Sequence, residues 1–98
     1  MADFQLDQLK ESAPVKLERN GKTVCVVRVK DEVFAIDDTC SHSDASLCEG
    51  EVTDFKIECW LHGAEFDLRT GQALTLPANI ALQTYQVDIQ ENSVTVEI

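Results

Sequence analysis

Cys40-Ser41-His42 and, after sixteen intervening residues, Cys59-Trp60-Leu61-His62 carry both histidines of this chain and two of its four cysteines. With so few of either, chance sets both histidines two or three residues behind a cysteine in about one sequence in a hundred. Two thiolates and two imidazoles make a metal site. Tetrahedral zinc and an iron–sulfur centre both accept that donor set, so the ligands alone leave the metal open. The two pairs fall in stretches that read as loops, 37–50 and 59–64, where a metal is approached from two sides.

Outward from these loops the chain reads as strands. Lys22-Thr23-Val24-Cys25-Val26-Val27-Arg28-Val29 follows Pro14-Val15-Lys16-Leu17-Glu18-Arg19 across Asn20-Gly21, a dipeptide that accepts the positive φ angles of a type I′ hairpin turn. Asp31-Glu32 divides the second of these strands from Val33-Phe34-Ala35-Ile36. Glu91-Asn92 divides 84–90 from 93–98, where apolar and polar residues alternate. Residues 52–58 predict a short strand pair turning near Asp54, and Thr70-Gly71 a further turn. The stretch 74–82, containing Pro77, has neither helical period nor cap and reads as a loop, and 4–10 reads as a short amphipathic turn. The pattern is that of an all-β domain.

Ninety-eight residues, 44% of them hydrophobic, suit one domain spanning 1–98 with a modest core. No apolar run approaches the roughly 18 residues of a membrane span, and the first residues, Met1-Ala2-Asp3-Phe4-Gln5, lack the basic and apolar regions of a signal peptide. A cytoplasmic protein without membrane contact is expected. In that compartment four cysteines point to metal more than to disulfides. The net charge of −10 is uneven. Residues 1–36 balance six acids against six bases, while 37–98 set twelve acids against Lys56 and Arg69. Such a surface excludes nucleic acid and anionic lipid as natural partners. Nine of the acids lie between Asp37 and Asp67, with Lys56 as the one base among them.

The surroundings of the two pairs choose the metal. Cys40-Ser41-His42-Ser43 and Cys59-Trp60-Leu61-His62-Gly63-Ala64-Glu65-Phe66-Asp67, followed by Arg69-Thr70-Gly71, resemble the two cluster-binding loops of Rieske ferredoxins. The resemblance extends through Asp37-Asp38, Asp44-Ala45-Ser46-Leu47, Glu49-Gly50 and Leu76-Pro77-Ala78 and leaves only the first dozen residues weakly matched. It implies a Rieske fold, an antiparallel β-sandwich base bearing a small two-loop lobe at about 38–68. It also implies one 2Fe-2S cluster, with Cys40 and Cys59 on the buried iron and His42 and His62 on the outer one. Neutral imidazoles in place of two thiolates leave the oxidised site uncharged, so an added electron is accepted at higher potential than in an all-cysteine cluster. High-potential members of the family tie their loops with a disulfide and donate serine and tyrosine hydroxyls to the cluster sulfurs. The matching positions here are Ala45, Leu61, Ala64 and Phe66, which do neither. A potential near the lower end of the Rieske range, about −150 mV, is expected.

Trp60 stands where the family usually has proline, and either shields the cluster or lies at the surface. Cys25, in a valine-rich strand, reads as a core residue. Cys48, six residues after His42, reads as a small side chain beside the loop. The likeness points to the ferredoxin component of a bacterial multicomponent aromatic-ring dioxygenase. Such a protein is a monomeric electron carrier, not an enzyme, between a flavin-containing, NAD(P)H-dependent reductase and a terminal oxygenase. The small Rieske-like subunit of an assimilatory nitrite reductase is the nearest alternative, although such subunits often lack the four ligands. A zinc-stabilised interaction module is the alternative from another class.

Overall fold

The Asn20-Gly21 turn forms as read. Its φ angles are +54° and +76°, the paired positive values of a type I′ turn, and it sets Arg19 at the end of β2 (Val15–Arg19) opposite Lys22 at the start of β3 (Lys22–Val29). The computed structural model describes residues 3–39, 46–60, 63–75 and 81–97. Cys40, His42 and His62 lie outside these residues, as do Ala45, Leu61 and Pro77.

β4 (Glu32–Asp37) pairs with β3 through a turn one residue earlier than the sequence suggests. Val29 faces Glu32, Lys30 takes φ +56°, and Glu32 joins the ladder. β5 (Glu51–Thr53) and β6 (Lys56–Glu58) turn at Asp54, and β8 (Thr84–Gln90) and β9 (Ser93–Glu97) turn at Glu91-Asn92, as expected. Two further strands that the sequence pattern does not signal are β1 (Phe4–Gln5) and β7 (Glu65–Asp67). The expected amphipathic turn at 4–10 is instead β1 followed by a 3-10 turn, Leu6–Gln8. Contacts distant in sequence decide this. Phe4 pairs with Val94, the Leu6 N–H donates to the Asn92 carbonyl, and the Asp7 N–H donates to the Asn92 side chain.

Every strand pairing among the described residues is antiparallel. Six strands form one sheet in the order β1-β9-β8-β4-β3-β2, and three form a second in the order β5-β6-β7. The large sheet curls until its edges meet. Arg19 of edge strand β2 forms an ion pair with Asp3 and donates to the Val96 carbonyl of β9 at 2.9 Å, while Asp3 accepts the Val96 N–H at 2.7 Å.

β3 explains how one small chain holds two cores. Alternate residues of a strand point to opposite faces, and in β3 both faces are covered. Val24 and Val26 point into the curl with Leu9, Ala35, Val94 and Val96, while Cys25, Val27 and Val29 point outward to meet Ile57, Cys59, Phe66 and Leu68 of the small sheet. A strand buried on both sides reads as a continuous apolar run, which is what 24–27 show. The outward core fastens the small sheet to the base. The segments that bound both candidate loops grow from this junction.

Candidate metal centre

Each candidate loop is tied at its neck. On the first, Asp37 closes β4, with its N–H bonded to the Gln83 carbonyl and its carboxylate accepting the Tyr85 hydroxyl at 2.6 Å. Asp38 follows, and only 4% of it is exposed. Its N–H donates to the Thr23 carbonyl and its own carbonyl accepts the Leu47 N–H at 2.6 Å. The Ser46 hydroxyl donates to its carboxylate, 2.7 and 2.9 Å from the two oxygens, and the Cys48 N–H donates to the same group at 3.0 Å. Lys16 stands 3.7 Å away as a half-exposed counter-ion. Thr39 and Ser46 then form an isolated antiparallel bridge. The chain thus leaves at 39 and returns at 46 through one clasp, and the 3-10 turn Leu47–Glu49 carries it into β5.

The second loop is closed by its own backbone. The Cys59 N–H donates to the Ala64 carbonyl at 2.7 Å, and the Gly63 N–H donates to the Cys59 carbonyl at 2.9 Å. Gly63 sits at φ +75°, a value that a residue without Cβ takes freely. Beyond the loop, Leu74 and Thr75 bond to Glu65 and brace β7.

The β5–β6 hairpin brings the two necks together. Glu51 pairs with Glu58, and Gly50 packs so closely on the Glu58 carbonyl that a Cβ there would lie 1.8 Å from its oxygen. The exit of the first loop therefore abuts the residue before Cys59. Cys59 is the one sequence-predicted ligand within the described residues. It is a free thiol, fully buried in the same core as Leu47, Ile57, Ala64 and Phe66. That setting suits a soft sulfur ligand on the inner side of a cluster.

Electrostatics around the site are more selective than the sequence count suggests. Asp38 belongs to the clasp, Asp37 accepts from Tyr85, and Asp67 lies 3.7 Å from Arg69. Glu49, Glu51 and Asp54 remain as exposed charges. Trp60 is 53% exposed immediately after buried Cys59, so its side chain lies at the surface. Burial, followed by the bond to Asp37, pushes the Tyr85 hydroxyl up to about 12.

The sequence does not show the Asp38 clasp: there Asp38 is one acid among nine and part of the stretch that resembles Rieske ferredoxins. An aspartate two residues before the first cysteine with a serine eight residues on was the available signal, and it is a weak one. Asp38→Ala leaves the Cys48 N–H and Ser46 hydroxyl without their acceptor and is expected to cost about 2–4 kcal/mol. Asp38→Asn keeps the acceptor oxygen and loses mainly the solvent-screened attraction to Lys16, about 1 kcal/mol or less. Denaturant midpoints of the two variants check this, and equal losses would show that the carboxylate does not hold the neck.

A closed β base thus carries a three-stranded lobe with two tethered loops, the second of which starts at a buried thiol. Residues 1–86 match the Rieske [2Fe-2S] domain family, and the chain belongs to it. Its cofactor is accordingly a 2Fe-2S cluster of Rieske type. The chain is 40% identical over 84 residues to the ferredoxin component of biphenyl 2,3-dioxygenase from Rhodococcus jostii (strain RHA1), covering 86% of this chain and 78% of that one. In structure it resembles the ferredoxin of carbazole 1,9a-dioxygenase from Nocardioides aromaticivorans IC177, with a TM-score of 0.94, 37% identity, and coverage of 98% and 94%. It is equally close, at TM-score 0.94 and 31% identity over 99% of this chain and 100% of the other, to a chain from a complex of reduced oxygenase and oxidized ferredoxin in carbazole 1,9a-dioxygenase. A putative nitrite reductase small subunit, 24% identical at TM-score 0.85 over 100% of this chain and 97% of that one, shares the fold. Among the described residues no helix is long and apolar enough to cross a membrane.

Proposed function

We propose that Cys40, His42, Cys59 and His62 hold the cluster. On this reading the chain, as one cytoplasmic, monomeric domain spanning 1–98 with its cluster lobe at about 38–68, is the ferredoxin component of an aromatic-ring dioxygenase system. It takes single electrons from an NAD(P)H-dependent flavin reductase and delivers them to a terminal oxygenase. The observation that carries this is the 40% identity to a dioxygenase ferredoxin component. It is joined by the buried Cys59 thiol at the neck of the second loop. The bound cluster takes up and returns one electron. The protein's part is to keep Cys59 dry, to clasp the first loop through Asp38, and to fix both loop ends so that little reorganises on reduction.

Ala64 and Phe66 are fully buried beside Cys59 in the lobe core and bring no hydroxyl to it. Fewer donors leave added negative charge less stabilised, which supports the low potential. A redox titration at neutral pH is expected to give about −150 mV, and a clearly positive midpoint would contradict it.

Glu49, Glu51 and Asp54 stand exposed on the lobe, and a basic docking face on each partner complements them. Mixed with a biphenyl-type reductase and oxygenase, the chain is expected to reduce the oxygenase in the presence of NADH. The rate should fall about tenfold or more as salt rises from low to high ionic strength. Failure to reduce any such oxygenase, with transfer to a nitrite reductase instead, would replace this reading. Rates indifferent to salt would remove the acidic docking face alone.

A further inference from the structure

The two cysteines that have no part in the cluster lie side by side. Cys25 is on β3 of the base and fully buried, and Cys48 is in the 3-10 turn at the exit of the first loop and partly exposed. They are 23 positions apart in sequence. Their sulfurs and a carboxylate oxygen of Asp38 nevertheless all lie within 4.8 Å of one another. Three such donors invite a metal, but the third is already committed. Asp38 accepts from the Ser46 hydroxyl and the Cys48 N–H and faces the Lys16 ammonium. Two sulfurs alone fall short of the four donors that zinc takes. The chemistry left to the pair is between the sulfurs themselves.

We infer that Cys25 and Cys48 form a dithiol site in which a hydroperoxide closes a reversible disulfide between the base sheet and the neck of the first loop. The two sulfurs start close enough that side-chain rotation and a small shift of the 3-10 turn bring them to bonding distance, about 2 Å.

The order of events follows from exposure. Cys48 is the member that solvent reaches. Its thiol attacks hydrogen peroxide, the O–O bond breaks, and the sulfur becomes a sulfenic acid as one water leaves. Cys25 then attacks that sulfur, the S–O bond breaks, and a second water carries away the hydroxyl and the Cys25 proton. The sum is two thiols and one peroxide to one disulfide and two waters. The two electrons lost by sulfur reduce the peroxide. Hydrogen bonding to Cys48 and burial raise the Cys25 thiol, which leaves Cys48 to react first. Once Cys48 is a sulfenic acid that thiol partner is gone, and Cys25 passes its proton to the departing hydroxyl as it attacks. A thiol reductant reverses the bond. The site stands on the geometry of Cys25, Cys48 and Asp38 and rests on the proposed ligand set in one respect, that it leaves both cysteines free of the iron.

The test uses the cluster-loaded protein. It is treated with one equivalent of hydrogen peroxide, its remaining thiols are blocked with iodoacetamide, and it is unfolded. Digestion without reductant then combines trypsin with a protease that cuts at aspartate, so that Asp44 separates Cys40 from Cys48. Mass spectrometry is expected to find the Cys25 and Cys48 peptides joined, lighter by two hydrogens than the separate pair, as the major form of both. The visible colour of the cluster is retained, and dithiothreitol restores two blockable thiols. In Cys48→Ser the linked peptide disappears and Cys25 is alkylated after unfolding. Where that variant does not fold, the wild-type protein decides alone. Cys48 advancing to sulfinic acid beside a free Cys25 would overturn the inference. So would joined peptides that appear only as colour is lost and in equal mixture with pairs involving Cys40 or Cys59.

Discussion

Cys59→Ser protein is expected to be colourless and free of acid-labile sulfide, while its far-ultraviolet spectrum still reports strands. Cys59 is fully buried in the lobe core and its backbone closes the second loop through Ala64 and Gly63. Serine keeps those backbone bonds and nearly the same volume, so the necks remain. What changes is the donor. A thiol becomes a thiolate on metal binding, whereas an alcohol holds its proton and is a hard ligand poorly matched to iron–sulfur chemistry. The new hydroxyl also sits in an apolar core, which adds about 1–3 kcal/mol of destabilisation. Iron content, sulfide content and circular dichroism on one preparation separate the two effects. A variant that keeps full colour and sulfide would remove Cys59 from the ligand set.

Gly50→Ala is expected to destabilise the protein by about 3 kcal/mol or more and to speed loss of the cluster. The cause is contact and not conformation. Gly50 has φ −88° and ψ −177°, which any residue adopts. An added Cβ would lie 1.8 Å from the Glu58 oxygen, 3.0 Å from its carbonyl carbon and 3.3 Å from the Leu47 oxygen. All three are backbone atoms, so no side chain can turn away, and the strands that hold the two necks together must part. Overpacking of a core costs about 1–3 kcal/mol when side chains can adjust, and here they cannot. For a domain of this size each kcal/mol is about 4–8 °C in melting temperature, so a fall of about 12 °C or more is the expected reading. Gly21→Ala is the control. It has φ +76° with nothing within 4 Å of the added Cβ, and it should cost only about 1–2 kcal/mol of left-handed strain. If the two variants melt alike, the close approach at Gly50 is not what joins the necks.

These variants bear on what was readable beforehand. Strands β3, β8 and the turns at Asn20-Gly21, Asp54 and Glu91-Asn92 were legible because local signals, β-branched runs and residues tolerant of positive φ, agree with the tertiary outcome. β1 and β7 were not: β1 is two residues long and exists by pairing with distant Val94, while β7 is three residues joined to β6 across the whole second loop, with no tight-turn signal between them. Of the candidate ligands, Cys59 is the one within the described residues, and burial at a closed loop neck supports its part in the proposed site. Asp38 and the Cys25–Cys48 pair were invisible for a different reason. Their partners are set by how β3, the 3-10 turn and the lobe meet, and no spacing along the chain encodes that meeting. Cys25 was read as a core residue, which it is. Its neighbour across the junction gives it a chemistry that a core residue lacks.

The central claim is a cluster gripped by cysteine on one iron and histidine on the other. The most direct measurement is low-temperature electron paramagnetic resonance of the dithionite-reduced protein, grown with 14N or with 15N-histidine. The account predicts the spectrum of a reduced 2Fe-2S centre in which couplings from two ring nitrogens change with the isotope. A cluster spectrum without histidine nitrogen couplings, or no signal from protein made with ample iron, would contradict it.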